Sequence, residues 1–266
     1  MTTRQHGRTA GMLIAGLLAL CACQEGNGNM PNVRRIEMTR TMPLDTNADA
    51  PVCKVVLDVA EISDGTESAK RMNRTIMQHA FGISSGLMEA AADSFCASRF
   101  SRYKEHLLPL YEADKRHDVN SAWYDYRYDV AATYELGRGH TLCYEITVTR
   151  YEGGARDVTE YHCLNFDLST GELVTLNDLY QPSYPGVLLP LLMKELQEQF
   201  DCNDLEALHR KGILRLTGLY IPGNYRLEEE GITFVYTPDE IAPYETGTIR
   251  LTIPYGALAP LEKEPN

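Results

Sequence analysis

A hydrolytic or metal centre would draw on seven histidines, seven cysteines and 37 acidic side chains. The histidines at 79, 106, 117, 140, 162 and 209 show no H-x-x-x-H or H-E-x-x-H spacing, the pattern that sets two imidazoles on one helix face around zinc. No G-x-S-x-G elbow presents a serine nucleophile. Asp178 or Glu240 could pair with another carboxylate in space, as glycoside hydrolysis requires. Glu240 stands beside Pro243, where capping a turn is the simpler job. His79 falls on an apolar helical stripe and reads as a core-edge histidine. No catalytic residue, metal ligand or cofactor is assigned, and no catalysis is expected.

The cysteines allow a different chemistry. Cys53, Cys96, Cys143, Cys163 and Cys202 lie beyond the leader, and none forms a C-x-x-C pair. Thr141–Tyr151 and Arg156–Phe166 flank Glu152-Gly153-Gly154-Ala155 and read as a hairpin. A three-residue loop puts Tyr151 opposite Ala155, Val148 opposite Val158 and Leu142 opposite Leu164, all sensible cross-strand pairs. The same register sets Cys143 opposite Cys163, within reach of a disulfide. A two-residue loop would instead set Tyr144 against Cys163. The pair is expected as a disulfide in an oxidising compartment, with two buried thiols as the alternative.

The address comes from residues 1–22. Arg4 and Arg8 form a positive n-region, Met12–Leu20 is a short apolar core, and Leu20-Cys21-Ala22-Cys23 places small residues before a cysteine. The apolar run is too short to span a bilayer, which takes about 20 residues. The expectation is a lipoprotein signal at 1–22 with Cys23 lipidated, Cys21 being the other candidate and a plain secretory signal the alternative. Residues 23–32 are polar and read as a tether. Without the leader, 23 basic side chains face 37 acidic ones, a net charge of −14. Nucleic acid and anionic lipid surfaces want basic patches, so neither is an expected ligand. A membrane contact through the lipid anchor is expected, and a basic protein partner is compatible with the charge.

Several elements must position these residues. Val33–Met42 and Val52–Ile62 read as strands, the second with Val55, Leu57 and Val59 on one face, Val52 and Val56 on the other, and cover on both sides. Met72, Ile76, His79, Ala80 and Ile83 recur at helical spacing. So do Met88, Ala92, Cys96, Phe100, Tyr103, Leu107 and Leu110, with Arg99, Arg102, Lys104 and Glu105 expected in solvent. Trp123–Leu136 alternates Tyr124, Tyr126, Tyr128, Val130, Ala132 and Tyr134. Leu188, Leu192, Leu196 and Phe200 mark a helix after Pro185, and Asp201–Lys211 a shorter one. Leu214–Ile221, with Gly218 as a bulge, and Arg226–Glu230 lead to the last strands. Ile232, Phe234 and Tyr236 alternate with Thr233, Val235 and Thr237, the pattern of a strand with one buried face. Pro238 ends that pairing. Glu240-Ile241-Ala242-Pro243-Tyr244 crosses over, Gly247 reopens the alternation Ile249, Leu251, Ile253, and Pro254 closes it before Tyr255. The fold class is α+β, a mixed or antiparallel sheet with helices packed on it, in two intimately joined subdomains.

The closing run EGITFVYTPDEIAPYETGTIRLTIPYGALAPL resembles the RsiV-like C-terminal domain family, and so does YEGGARDVTEYHCLNFDLSTGELVTLNDLY at 151–180. The residues that carry the likeness are Phe234, Tyr236, Glu240, Ile241, Pro243, Tyr244, Gly247, Pro254 and Tyr255. Gly153, Gly154 and Ala155 match the family's turn, while Arg156-Asp157 stands where the family carries His-Gly and His162 is no positional substitute. The strand, two helices and return to strands before it, with Pro51-x-Cys53, resemble a PdaC-type N-terminal region. The resemblance implies a division into residues 33–118 (PdaC-type) and 119–266 (RsiV-like). It also implies a cell-envelope domain that binds peptidoglycan or another glycan, or a wall-acting protein such as lysozyme. Gly153–Arg156 is the candidate binding turn. An envelope enzyme on wall glycan and a purely structural lipoprotein remain the alternatives, and the oligomeric state is left open.

Overall fold

A computed structural model describes residues 30–114 and 121–263; Cys21, Cys23, the leader and most of the tether lie outside the described residues. Strands β1 (Val33–Pro43) and β2 (Val52–Ile62) pair antiparallel. Helices α1 (Glu67–Phe81) and α2 (Met88–Asp114) follow. After a 3₁₀ turn at Ser121–Tyr124, β3 (Tyr126–Leu136) pairs parallel to β2, with Cys53 opposite Tyr126. Strands β4 (Thr141–Glu152) and β5 (Val158–Asp167) complete a five-stranded sheet in the order β1-β2-β3-β4-β5. The parallel pair needs the helical crossover, since only a long connection returns a chain to the same end of a sheet. The expected boundary at 118/119 falls between α2 and β3, inside the run that builds this sheet.

Local chemistry explains these elements. The Thr66 hydroxyl accepts from Ala69 N at 3.1 Å and starts α1; Gly82, at φ 74°, ends it in the left-handed region. Cys53, Val55, Leu57 and Val59 face the core against α1 and α2, whereas Val52 and Val56 are only half-buried. Strand β2 is therefore covered fully on one side, not on both as its apolar run suggests. Arg99 is half-buried, not fully in solvent as expected. Its guanidinium sits 4.7 Å from the Phe95 ring centre and 5.0 Å from that of Tyr128, a cation over two aromatic faces. Leu110, by contrast, drops off the buried stripe and is 57% exposed.

The chain then builds a second layer. Helices α3 (Leu176–Leu179), α4 (Pro185–Gln199) and α5 (Leu205–Arg210) precede a three-stranded sheet of β6 (Tyr225–Leu227), β7 (Gly231–Tyr236) and β8 (Ile249–Pro254). A short helix α6 (Tyr255–Leu258) closes it. Leu188, Leu192 and Leu196 of α4 are fully buried, and α4 lies against β8. Strand β7 is buried on both faces, Thr233 and Val235 included, because it is the middle strand and its second face is covered too. Leu214–Ile221 is a loop instead of the expected strand. Leu214 takes φ 56° there and donates its N–H to Ile241 O at 2.7 Å, which turns the chain out of an extended path. The α+β class is the one observed: a mixed five-stranded sheet and a three-stranded sheet, with helices packed on them.

Two hydrophobic clusters result, one from Ile36 to Phe166, the other from Leu176 to Leu258 together with Cys143. Asn165 joins the sheets. It is 3% exposed, donates to Tyr225 O at 2.8 Å and accepts from Leu227 N at 2.9 Å.

Candidate functional site

The hairpin register differs from the expected one by two residues. Arg150 faces Val158, so Cys143 lies opposite Asn165, and Glu145 lies opposite Cys163. Both cysteines are free thiols on one face of the sheet, diagonal to one another, and the expected Cys143–Cys163 disulfide is corrected. The cause is a longer connection: Gly153 takes φ 72°, and a Cβ there would meet Trp123 O at 2.3 Å. Arg156 and Asp157 fall inside the turn instead of starting β5. Burial pushes the Cys143 and Cys163 thiols up to about 12, which suits packing and not nucleophilic chemistry.

The turn nevertheless meets the crossover as one structure. Arg156 forms an ion pair with Asp239, and its guanidinium lies 4.4 Å from the Tyr244 ring centre. Gly154 and Ala155 stand exposed at the tip. The Glu240 carboxylate accepts from Thr237 N at 2.6 Å and Thr237 Oγ1 at 2.8 Å, and the Tyr220 hydroxyl donates to it, so Glu240 caps the turn. Ile241 is buried; Pro243 lies so close to Gly212 that a Cβ on that glycine would meet it at 2.8 Å. Phe234 and Tyr236 are core, with the Tyr236 hydroxyl donating to Tyr220 O at 2.6 Å. Gly247 takes φ 75°, and Pro254 leads into α6. Arg156 and Glu240, the charged groups that the sequence singled out at this end, are both committed to partners in the chain.

A larger opening lies at the other end of the second sheet. A cleft of about 940 Å³ forms between the β3–β4 turn at 138–141, the end of α3 at 178–181, Leu227, Tyr255 and the strap Glu262–Lys263. Its size falls within the range of small-ligand sites, about 300–1,000 Å³. The sequence sets each wall. Asp178 accepts from Thr175 N at 2.7 Å and Thr175 Oγ1 at 2.6 Å, which fixes α3 and the residues after it. Those hydrogen bonds hold its carboxyl below the usual carboxylate range. The strap docks as a short antiparallel bridge: Gln181 N donates to Leu261 O at 2.8 Å, and Lys263 N to Leu179 O at 2.9 Å. Gly137 lets the β3–β4 turn touch β6, where a Cβ would meet Leu227 O at 2.0 Å. Arg138 then reaches Glu262 at 2.6 Å and lies 4.3 Å from the Tyr255 ring centre.

The cleft therefore has a buried floor of Thr141, Tyr180, Leu227 and Tyr255, and an exposed rim of Arg138, Asp178, Gln181 and Lys263. The Tyr255 hydroxyl donates to Glu228 O at 2.9 Å. The Tyr180 hydroxyl has no hydrogen-bond partner among the described residues. Of this site the sequence singled out Tyr255 as a motif residue and Asp178 as a carboxylate. Arg138, between Gly137 and Gly139, was given no role, and Tyr180 read only as the end of a matching segment. A basic residue between two glycines was the available signal.

Elsewhere, His79 and His162 approach with ring centres 5.1 Å apart across the α1–β5 contact, beside a hollow of about 240 Å³. His79 is exposed there, not at the core edge. Partial desolvation where the two rings meet lowers both imidazoles below their ordinary range, and the charge of His162 adds to this at His79. Among the described residues no group of three His, Cys, Asp or Glu side chains is arranged to hold a metal, and no helix is long and apolar enough to cross a membrane.

Residues 177–256 match the family described as "Protein of unknown function (DUF3298)". No curated protein matches the chain. Among solved structures, the chain is similar to a member of the DUF3298 family from Bacteroides fragilis NCTC 9343 with a TM-score of 0.82, at 24% identity, over 88% of this chain and 94% of that one. It is also similar to a DUF3298 family protein from Pseudomonas aeruginosa PAO1, with a TM-score of 0.62, at 15% identity, over 90% and 97% of the two chains. At these identities the likeness concerns the fold alone.

Proposed function

We propose that the chain is a lipid-anchored cell-envelope domain of RsiV-like and PdaC-type kinship that binds wall glycan through the 940 Å³ cleft, without catalysis. The cleft carries the reading: it joins a buried aromatic floor to a rim of a guanidinium, an ammonium, an amide and carboxylates, the groups that hydrogen-bond sugar hydroxyls. Its carboxylates do not divide into the acid and base of a glycosidase. Asp178 is held ionised by its capping bonds, and Glu262 is paired with Arg138. The lipid at Cys23 would hold the domain close to the membrane. A tether of ten residues, 23–32, extends at most about 35 Å. A basic protein such as lysozyme is a second reading, favoured by the net charge of −14 without the leader.

Co-sedimentation with insoluble peptidoglycan separates these readings when run beside capture on immobilised lysozyme. The expected result is sedimentation with the wall, reduced severalfold by Gln181→Ala, a rim change that leaves the floor and the strap intact. Retention on lysozyme alone, unaffected by that variant, would replace the glycan by the protein ligand. Turnover of glycan, abolished by one Asp, Glu or His substitution, would make the domain an enzyme.

A further inference from the structure

Away from the cleft, the fold brings two metal-ligating side chains together. His79 stands in the last turn of α1 and His162 on β5, with ring centres 5.1 Å apart and ring planes at 57°. Both line the hollow of about 240 Å³, which shares no residue with the cleft. Neither imidazole makes a hydrogen bond to any of the described residues. A packing contact would accept the same tilt, but packing alone gives no use to ring nitrogens left without partners.

The spacing fits one shared ion. An imidazole nitrogen lies about 2.0–2.1 Å from a bound zinc ion, which sets the ring centre roughly 3.2 Å from the metal. Two such rings at a square or tetrahedral angle stand about 4.5–5.2 Å apart, centre to centre. The observed 5.1 Å falls in that span. The fold has only to preset this distance, because the last torsion of histidine is broad and turns either nitrogen toward a common point. Partial desolvation keeps both rings below their ordinary range, so near neutral pH they are in the uncharged form that ligates. Glu160, paired with Arg150 at 2.9 Å, sets a carboxylate whose charge reaches His162. The carbonyls at the end of α1 add partial negative charge near His79. Cys163 stays out of the set: it faces the other side of β5, with its thiol 3.7 Å from Glu145.

We propose that His79 and His162 form a two-imidazole site for a divalent transition-metal ion, with Cu(II) held tightest and its other positions open to water or to a donor from outside the chain. Two protein ligands are all that the described residues supply. Ca(II) and Mg(II), which want oxygen ligands, are not matched. The bound ion clasps the end of α1 to β5, the edge strand of the first sheet.

The test titrates the full chain, kept in detergent and free of any histidine tag, with Cu(II), Ni(II), Zn(II) and Ca(II). It records the Cu(II) electron paramagnetic resonance spectrum and Tm. Wild type is expected to take up Cu(II) more tightly than Ni(II) or Zn(II), with a spectrum split by two nitrogens and a raised Tm, and to ignore Ca(II). His79→Gln and His162→Gln are each expected to bind Cu(II) about tenfold or more weakly, the least that disturbing a ligand's support costs in metal sites. Each should also lose the rise in Tm. Undiminished binding in either variant overturns the site. Should a variant fail to fold, the wild-type spectrum decides: a single nitrogen, a thiolate ligand or no uptake overturns the proposal.

Discussion

Glu145 is the residue on which the two sheets meet. It is 6% exposed, and Arg250 donates to both of its oxygens, at 2.8 and 2.9 Å, while Arg226 approaches at 3.4 Å. Arg226 is in turn held by Glu135 and, at 3.0 Å, by Glu228. Burial alone would raise the Glu145 carboxyl, but the hydrogen bonds and charges of Arg250 and Arg226 outweigh it and hold the group below its ordinary value. Glu145→Ala strips Arg250 of both its bonds but leaves Arg226 paired with Glu135 and Glu228, so it should destabilise by roughly 1.5–3 kcal/mol in a denaturant titration near neutral pH. Because the folded value is the lower one, this stability is present above the unfolded value and is lost as pH falls through the folded value. The gap between wild type and Glu145→Ala should therefore close in strong acid. A constant gap from pH 7 to pH 2 would show that the carboxylate is not what the arginines need.

At the scale of elements, the contact of α1 with β5 carries its own pH dependence. His162 is half-buried against the exposed His79, and both imidazoles lie below their ordinary range, with Glu160 pulling His162 partly back. A lowered folded value means that stability is full above pH 6.5, the unfolded value, and declines as pH falls below it. His162→Gln should flatten the decline of Tm between pH 7 and pH 5; an unchanged slope would place the acid sensitivity elsewhere. The elements themselves were mostly legible, because single-faced patterns such as Cys53, Val55, Leu57 and Val59 report their period directly. The register of β4 with β5 was not. Every cross-strand pairing of the expected register looked chemically sensible, and the close approach of Gly153 to Trp123, remote in sequence, is not announced by any local pattern. The cleft was hidden for the same reason: Arg138, Tyr180 and Glu262 come together through the strap and the Gly137 approach, which no local pattern announces. Strand β7 was read as half-exposed because Thr233 and Thr237 look like surface residues. Thr233 is buried, with its hydroxyl satisfied by Thr252 at 2.8 Å.

For the whole molecule, two hydrophobic clusters lie under the two sheets, and the large cleft opens on the second layer. If Cys23 is the anchor, Cys23→Ser should release the protein from membranes or leave it unprocessed, read by fractionation and by the mass of the N-terminus. Continued partitioning with membranes would remove the anchor from the account. The most direct test of the binding reading is hydrogen exchange of the full chain with and without solubilised wall glycan. The account predicts slowed exchange confined to residues 138–141, 178–181 and 255–263, where the ligand would cover the turn, the end of α3 and the strap. Protection at the hairpin tip around Gly154 and Ala155 instead, or none anywhere at saturating glycan, would contradict it.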